Sequence, residues 1–199
     1  MTIKFAGLLT VFVLASGLAA PNANTQTPLQ IVVLAEKQVV ELPPGELFWR
    51  IETFSTPAQA QAAAGKWALV AESAGKIWLF TLGAKGAPTA GGTPIAEVGP
   101  IASFAAPRYL LRINQASGPP GSVTSVHKHA GSEAFFVLTG EQSIRSPAGV
   151  MSIKAGQVEA GHGPNMPMQV SSSGTTDLNS LVMFVVDATQ PFSSPASFP

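Results

Sequence analysis

Cysteine is absent from the 199-residue chain. That excludes disulfides, thiolate metal ligands and a lipid anchor on an amino-terminal cysteine, so a packed core has to supply stability. Charge is scarce as well: Asp, Glu, Lys and Arg make up 11% of the residues, with 11 basic side chains balanced by 11 acidic ones and no Lys/Arg cluster. Phosphate backbones are held by concentrated basic surface, so this balance argues against a nucleic-acid partner. No heptad, helical repeat or solenoid period is present. Histidine occurs three times, at positions 127, 129 and 162. All three fall in one region, which leaves no separate Ser–His–Asp arrangement and disfavours hydrolysis of that type.

What is present points to strands. Hydrophobic residues reach 46%, enough for a sizeable core, and 19 glycines and 17 prolines suit many short strands joined by turns. At the amino terminus Lys4 precedes an apolar run from Phe5 to Ser16, then the small residues Gly17, Leu18, Ala19 and Ala20. A basic start, a short apolar region and a small-residue cleavage site predict a secretory signal over residues 1–20. The run is shorter than the roughly 20 apolar residues of a membrane-spanning helix. The expectation is a secreted or periplasmic protein with no membrane span in its mature form.

Residues 21–28 read as a linker, and 29–104 as a series of amino-terminal strands at 29–34, 39–42, 47–54, 67–72, 76–82 and 94–101. One short helix interrupts them. Thr56 caps it, Pro57 suits its first position, alanines fill its interior and Gly65 suits its stop. Within a denser unit over 105–190, strands are predicted at 109–115, 123–129, 133–139, 142–145, 150–153, 168–172 and 181–186. The tail, 191–199, is rich in proline and serine and is expected to lie across the surface. This pattern predicts an all-β protein, a closed sandwich or barrel. A degenerate second barrel over 29–101 is an alternative for the amino-terminal part.

The segment from Gly121 to Gly140 carries the chemistry. Its spacing is G-x5-H-x-H-x3-E-x6-G, with His127, His129 and Glu133 at the marked positions. Residues two apart on a strand share a face, so His127 and His129 project together. On the next strand Glu133, Phe135 and Val137 share one face, and Ala134, Phe136 and Leu138 the other. Two adjacent strands then bring two imidazoles and a carboxylate around one point above an apolar floor. Two His and one carboxylate leave other positions of a metal open. Iron, manganese, zinc, nickel and copper are not distinguishable on ligand type.

This stretch resembles the first conserved motif of the cupin superfamily at every defining position, and the resemblance extends over roughly 108–187. It implies a double-stranded β-helix, or jelly-roll barrel, here with additional amino-terminal strands. It also implies that His127, His129 and Glu133 are metal ligands. The second cupin motif, G-x5-P-x-G-x2-H-x3-N, departs. Counted from Gly156, its proline position holds His162, its glycine position Pro164 and its histidine position Pro167. Three arrangements stay open: His162 replaces the missing ligand, the three first-motif residues hold the metal with water, or the barrel has lost its metal. Met166 and Met168 flank Pro167, and their thioethers either line the pocket or fill core space.

Phe135, Val137 and Met168 are candidate pocket walls for a small organic molecule. The resemblance implies a metal-dependent oxygenase or isomerase, with Glu133 as ligand or general base. The alternative is a binding module that holds a small molecule or metal without turnover. Cupins commonly dimerise through an exposed sheet. Phe136 and Leu138 are candidates for such a homodimer contact, although burial beneath the amino-terminal strands is the ordinary expectation.

Overall fold

The computed structural model describes residues 26–86 and 88–199. The predicted secretory signal and most of the linker lie outside the described residues. Fourteen strands and one helix run in the order β1 (Gln30–Val39), β2 (Leu47–Phe54), α1 (Pro57–Ala63), β3 (Ala68–Ser73), β4 (Lys76–Gly83), β5 (Thr93–Ile101), β6 (Tyr109–Gly118), β7 (His127–Lys128), β8 (Gly131–Thr139), β9 (Glu141–Ser146), β10 (Gly149–Lys154), β11 (Val158–Ala160), β12 (Gln169–Ser172), β13 (Leu178–Asp187) and β14 (Ser194–Pro195). None of the described helical residues forms a segment long and apolar enough to cross a membrane.

The architecture has three β layers. A five-stranded antiparallel sheet of order β1-β6-β13-β8-β11 lies in the middle. A four-stranded sheet, β3-β4-β2-β5, covers one face, and the β10-β9-β12 sheet covers the other. Isolated bridges from Val123 to Ser171 and from His127 to Met168 extend the latter layer. From β6 onward the ladders nest. The β9–β10 hairpin is innermost, then β8 with β11, then the 123–128 segment with β12, then β6 with β13. Successive pairs alternate between the two layers, which is the topology of a double-stranded β-helix.

The central strands explain their own sequences. A strand covered on both faces reads as a continuous apolar run, and β8 and β13 are buried over almost their whole lengths. On one side Ala134, Phe136, Leu181 and Met183 pack with Trp49, Trp78 and Phe80 of the four-stranded sheet. On the other, Phe135, Val137, Val182 and Phe184 pack with Ile144, Ile153, Met168 and Val170 inside the barrel. Each large side chain so buried contributes about 2 kcal/mol. Phe136 is 6% exposed and Leu138 packs against the same core, so the amino-terminal sheet covers both. Among the described residues the amino-terminal strands past β1 make an open sheet, with α1 against its outer side.

Local signals in the sequence held at α1, where the Thr56 hydroxyl accepts from the Gln59 backbone N–H at 3.2 Å. The helix ends earlier than expected, with Ala64 rather than Gly65 as its cap. The run at 29–34 continues to Val39 as one strand, β1, with an irregularity between Val33 and Ala35, and the separate strand expected over 39–42 is not formed, since residues 40–42 lie beyond it. A bulge lets the chain change facing without ending the ladder, which blurs the sequence alternation. The strand expected over 123–129 shrinks to isolated bridges and the two residues of β7, and β11 was not foreseen. Gly131 is required where β8 starts, because a Cβ there would lie 2.1 Å from the Val185 carbonyl oxygen.

Candidate active site

His127 is fixed through its backbone. Its N–H donates to the Met168 carbonyl at 2.9 Å, its carbonyl accepts from the Met168 N–H at 2.8 Å, and β14 of the tail pairs with β7 on the other side. His129 follows, its carbonyl accepting from the Asn165 N–H at 2.7 Å. After the turn, Glu133 sits on β8 opposite Phe184 of β13. The three side chains face one cavity of about 360 Å³ at the mouth of the barrel, within the usual size range for small-molecule sites.

Each imidazole is held in one tautomer. The Nδ1 of His127 lies 2.9 Å from the Ser125 carbonyl oxygen, and that of His129 lies 2.6 Å from the Phe192 carbonyl oxygen. A carbonyl only accepts, so both Nδ1 atoms carry the hydrogen and Nε2 is in each ring the nitrogen not engaged by that backbone bond. The two rings stand edge to face with centroids 5.0 Å apart. His129 also lies between Phe184 and Phe192, at centroid distances of 4.9 and 4.8 Å. Burial holds the His129 proton affinity down, to a pKa of about 4, although the Phe192 carbonyl favours the proton. It is therefore neutral at physiological pH.

Glu133 is 3% exposed, and burial pushes its pKa up to about 8. Its Oε2 lies 4.0 Å from His129 Nε2, and its Oε1 has no hydrogen-bond partner among the described residues. A buried acceptor without a partner costs about 1–3 kcal/mol, so this corner is incomplete as a purely structural arrangement. The donor types suit a divalent transition metal: two imidazoles with their Nδ1 atoms tied back, and a carboxylate with an open oxygen. As they stand, no three His, Asp or Glu side chains among the described residues gather closely enough to hold a metal ion.

The other expected site residues are placed as follows. Phe135 lines the cavity. Val137 and Met168, 0% and 2% exposed, pack within the barrel core and do not reach the lining. His162 is half-buried in the loop between β11 and β12 and does not line the cavity; burial lowers its pKa, against the opposing charge of Glu159. Among the lining residues that the sequence reading did not single out, three bear on the chemistry of the site. Asn114 and Phe184 come from the inward faces of β6 and β13, and Phe192 comes from the tail. A lone aromatic in a Pro/Ser-rich tail was the available signal for Phe192. For Asn114 it was a polar residue among the apolar alternation of β6.

The nested strand pairs, together with the Gly121–Gly140 motif at the barrel mouth, make the core a cupin-type double-stranded β-helix. No family model matches the sequence, and no curated protein matches it. Among solved structures the chain is similar to a cupin-like protein from Thermotoga maritima, at 16% identity and a TM-score of 0.40, over 44% of this chain and 65% of that one. It is also similar to an uncharacterized conserved protein with a double-stranded β-helix domain from Klebsiella pneumoniae, at 22% identity and a TM-score of 0.38, over 44% and 75% of the two chains. A third is a Cupin 2 conserved barrel domain protein from Salinispora arenicola, at 20% identity and a TM-score of 0.35, over 40% and 65%. The chain spans just under two thirds of the Thermotoga and Salinispora proteins.

Proposed function

We propose that this protein is an exported cupin-fold protein whose barrel mouth takes a divalent transition metal and a small organic molecule, acting as a metal-dependent oxygenase or isomerase. The observation that carries the reading is that two imidazoles tied back through Nδ1, and Glu133 with an unpartnered Oε1, line one cavity. His127, His129 and Glu133 are the residues that would hold the metal. A bound metal supplies Lewis acidity, polarising a carbonyl or activating a substrate toward dioxygen.

The chain's own residues do the rest. His129 offers a neutral nitrogen without first losing a proton, because burial already keeps it neutral. Glu133 gives up a proton when a cation arrives, and if displaced from the metal it is placed to act as a general base. Phe135, Phe184 and Phe192 give the cavity an apolar wall. Residues 1–20 act as the cleaved signal, and the mature protein works in the periplasm or outside the cell.

A second reading, binding without turnover, is supported by the second-motif departure: Pro167 occupies the usual fourth-ligand position, and His162 lies outside the cavity lining. Metal analysis of protein purified without a polyhistidine tag tests the site. About one equivalent of metal is expected in the native chain, with loss in His127→Ala. Substoichiometric metal unchanged by that substitution removes the proposal. Oxygen uptake and product analysis over catechols, flavonols and dicarbonyl compounds then separate the readings. Silence across the panel with a filled site supports binding without turnover.

A further inference from the structure

Asn114 stands apart from the metal-type residues and has no structural employment. It lies on β6, two positions from Arg112 and two from Ala116, on the face turned into the barrel. The side chain is 3% exposed, it lines the cavity, and its Oδ1 has no hydrogen-bond partner among the described residues. In the β6–β13–β8 ladder Asn114 pairs with Val182, and Val182 pairs with Phe135. Glu133 belongs to the next inward row, opposite Phe184, which itself pairs with Arg112. From the strand spacing and rise, the Cα atoms of Asn114 and Glu133 lie roughly 12 Å apart. The cavity therefore has two polar positions, with Phe135, Val182 and Phe184 forming an apolar surface between them.

The charge around this space is as informative as its shape. No lysine or arginine lines the cavity among the described residues. The Arg112 guanidinium, whose charge adds to burial in lowering the pKa of His129 at the other end of the cavity, donates to Glu36 at 2.7 Å and lies 4.0 Å from the centroid of the Phe192 ring. It is committed to holding the tail over the cavity. An anionic ligand would find no cationic side chain to replace its hydration at the Asn114 end. A purely apolar one would leave the Asn114 carboxamide unpaired, a buried polar group without compensation.

We infer that Asn114 is a specificity-determining residue, and that the cavity selects an uncharged, predominantly apolar ligand carrying a hydroxyl group that hydrogen-bonds to the Asn114 carboxamide. A hydroxyl both donates and accepts, so it satisfies the amide in either orientation. The ring system lies against Phe135 and Phe184, and Phe192 of the tail closes over it. This inference rests on the assignment of the cavity as the ligand site, and it adds the ligand class and the residue that reads it.

Three probes of one size test it on the metal-free chain: 2-naphthol, naphthalene and 2-naphthoate, each titrated at pH 7 with binding read by probe fluorescence. The expected result is that 2-naphthol binds about five- to tenfold more tightly than naphthalene, the worth of one net hydrogen bond. 2-Naphthoate should bind more weakly than either. Asn114→Leu should abolish the preference for 2-naphthol while naphthalene binding stays at or above its native strength. The same variant should melt at or above the native temperature, because it removes an unpaired polar group. Asn114→Ala should lose the same preference, which covers a leucine that packs badly. Equal binding of 2-naphthol and naphthalene overturns the inference, as does a preference that survives both substitutions, a preference for 2-naphthoate, or no binding by any probe. The metal content of His127→Ala reads the cavity assignment independently, so failure of one is distinguishable from failure of the other.

Discussion

The buried carboxyl of Glu133 makes a specific demand on how stability varies with pH in the metal-free protein. Its pKa is raised from 4.5 to about 8 in the folded chain by burial. Between those values the native state keeps a proton that the unfolded state has released, so stability falls as pH rises, at about 1.4 kcal/mol per pH unit. His129 works in the opposite direction. Its folded pKa of about 4 lies below the ordinary 6.5, so stability rises with pH between those limits. The lowered pKa of His162 acts in the same sense, below 6.5. The Glu133 and His129 slopes oppose each other from about pH 4.5 to 6.5 and nearly cancel. Above 6.5 Glu133 acts alone, and from there to pH 8 the loss is about 2 kcal/mol. For a protein of this length that corresponds to a fall in melting temperature of about 4–8 °C. Denaturant titrations of chelator-treated protein at closely spaced pH values from 5 to 9 should show a limb that is flat or rises gently with the His162 contribution, and then the decline. Glu133→Gln should remove the decline above 6.5. Retention of the same slope in that variant, or a rise in stability through this interval, would refute the account of the buried acid.

The remaining predictions concern packing and closure. Gly131→Ala places a Cβ 2.1 Å from the Val185 carbonyl oxygen. Because the clash is with backbone rather than a movable side chain, a loss of about 3 kcal/mol is expected by urea denaturation; a change under 1 kcal/mol would mean β8 and β13 are not this closely apposed. Phe192→Ala removes one of the two rings flanking His129 and the surface on which Arg112 rests. Carbethoxylation of His129 by diethyl pyrocarbonate should then accelerate at least fivefold. Tryptic cleavage at Lys128 separates His129 from His127 for mass spectrometry, and an unchanged rate at His129 would show that the tail does not shield it.

The motif was legible because its physical content is local. The H-x-H spacing anticipates that both imidazoles face one side although His129 lies just past β7, and two-residue periodicity settles that Glu133 and Phe135 share a face while Ala134 and Phe136 share the other. The cavity and the two cores respect that alternation. The capping of α1 by Thr56 is equally local. The β7 region was misjudged because its ordering comes from Met168 on one side and Ser194 and Pro195 on the other, with little contribution from strand propensity.

Sequence by itself determined the all-β class and the inward set of His127, His129 and Glu133. These follow from periodicity, turn chemistry and residue identity over short spans. Only the tertiary structure decided which groups complete the cavity. Asn114 arrives from β6, Phe184 from β13 and Phe192 from the tail 63 residues beyond His129, whose Nδ1 its carbonyl holds. Val137 and Met168 were drawn into the core instead. Strand alternation fixes which way a side chain faces, but depth along a barrel axis is set by the register between strands distant in sequence. That register is a property of the whole packed sheet.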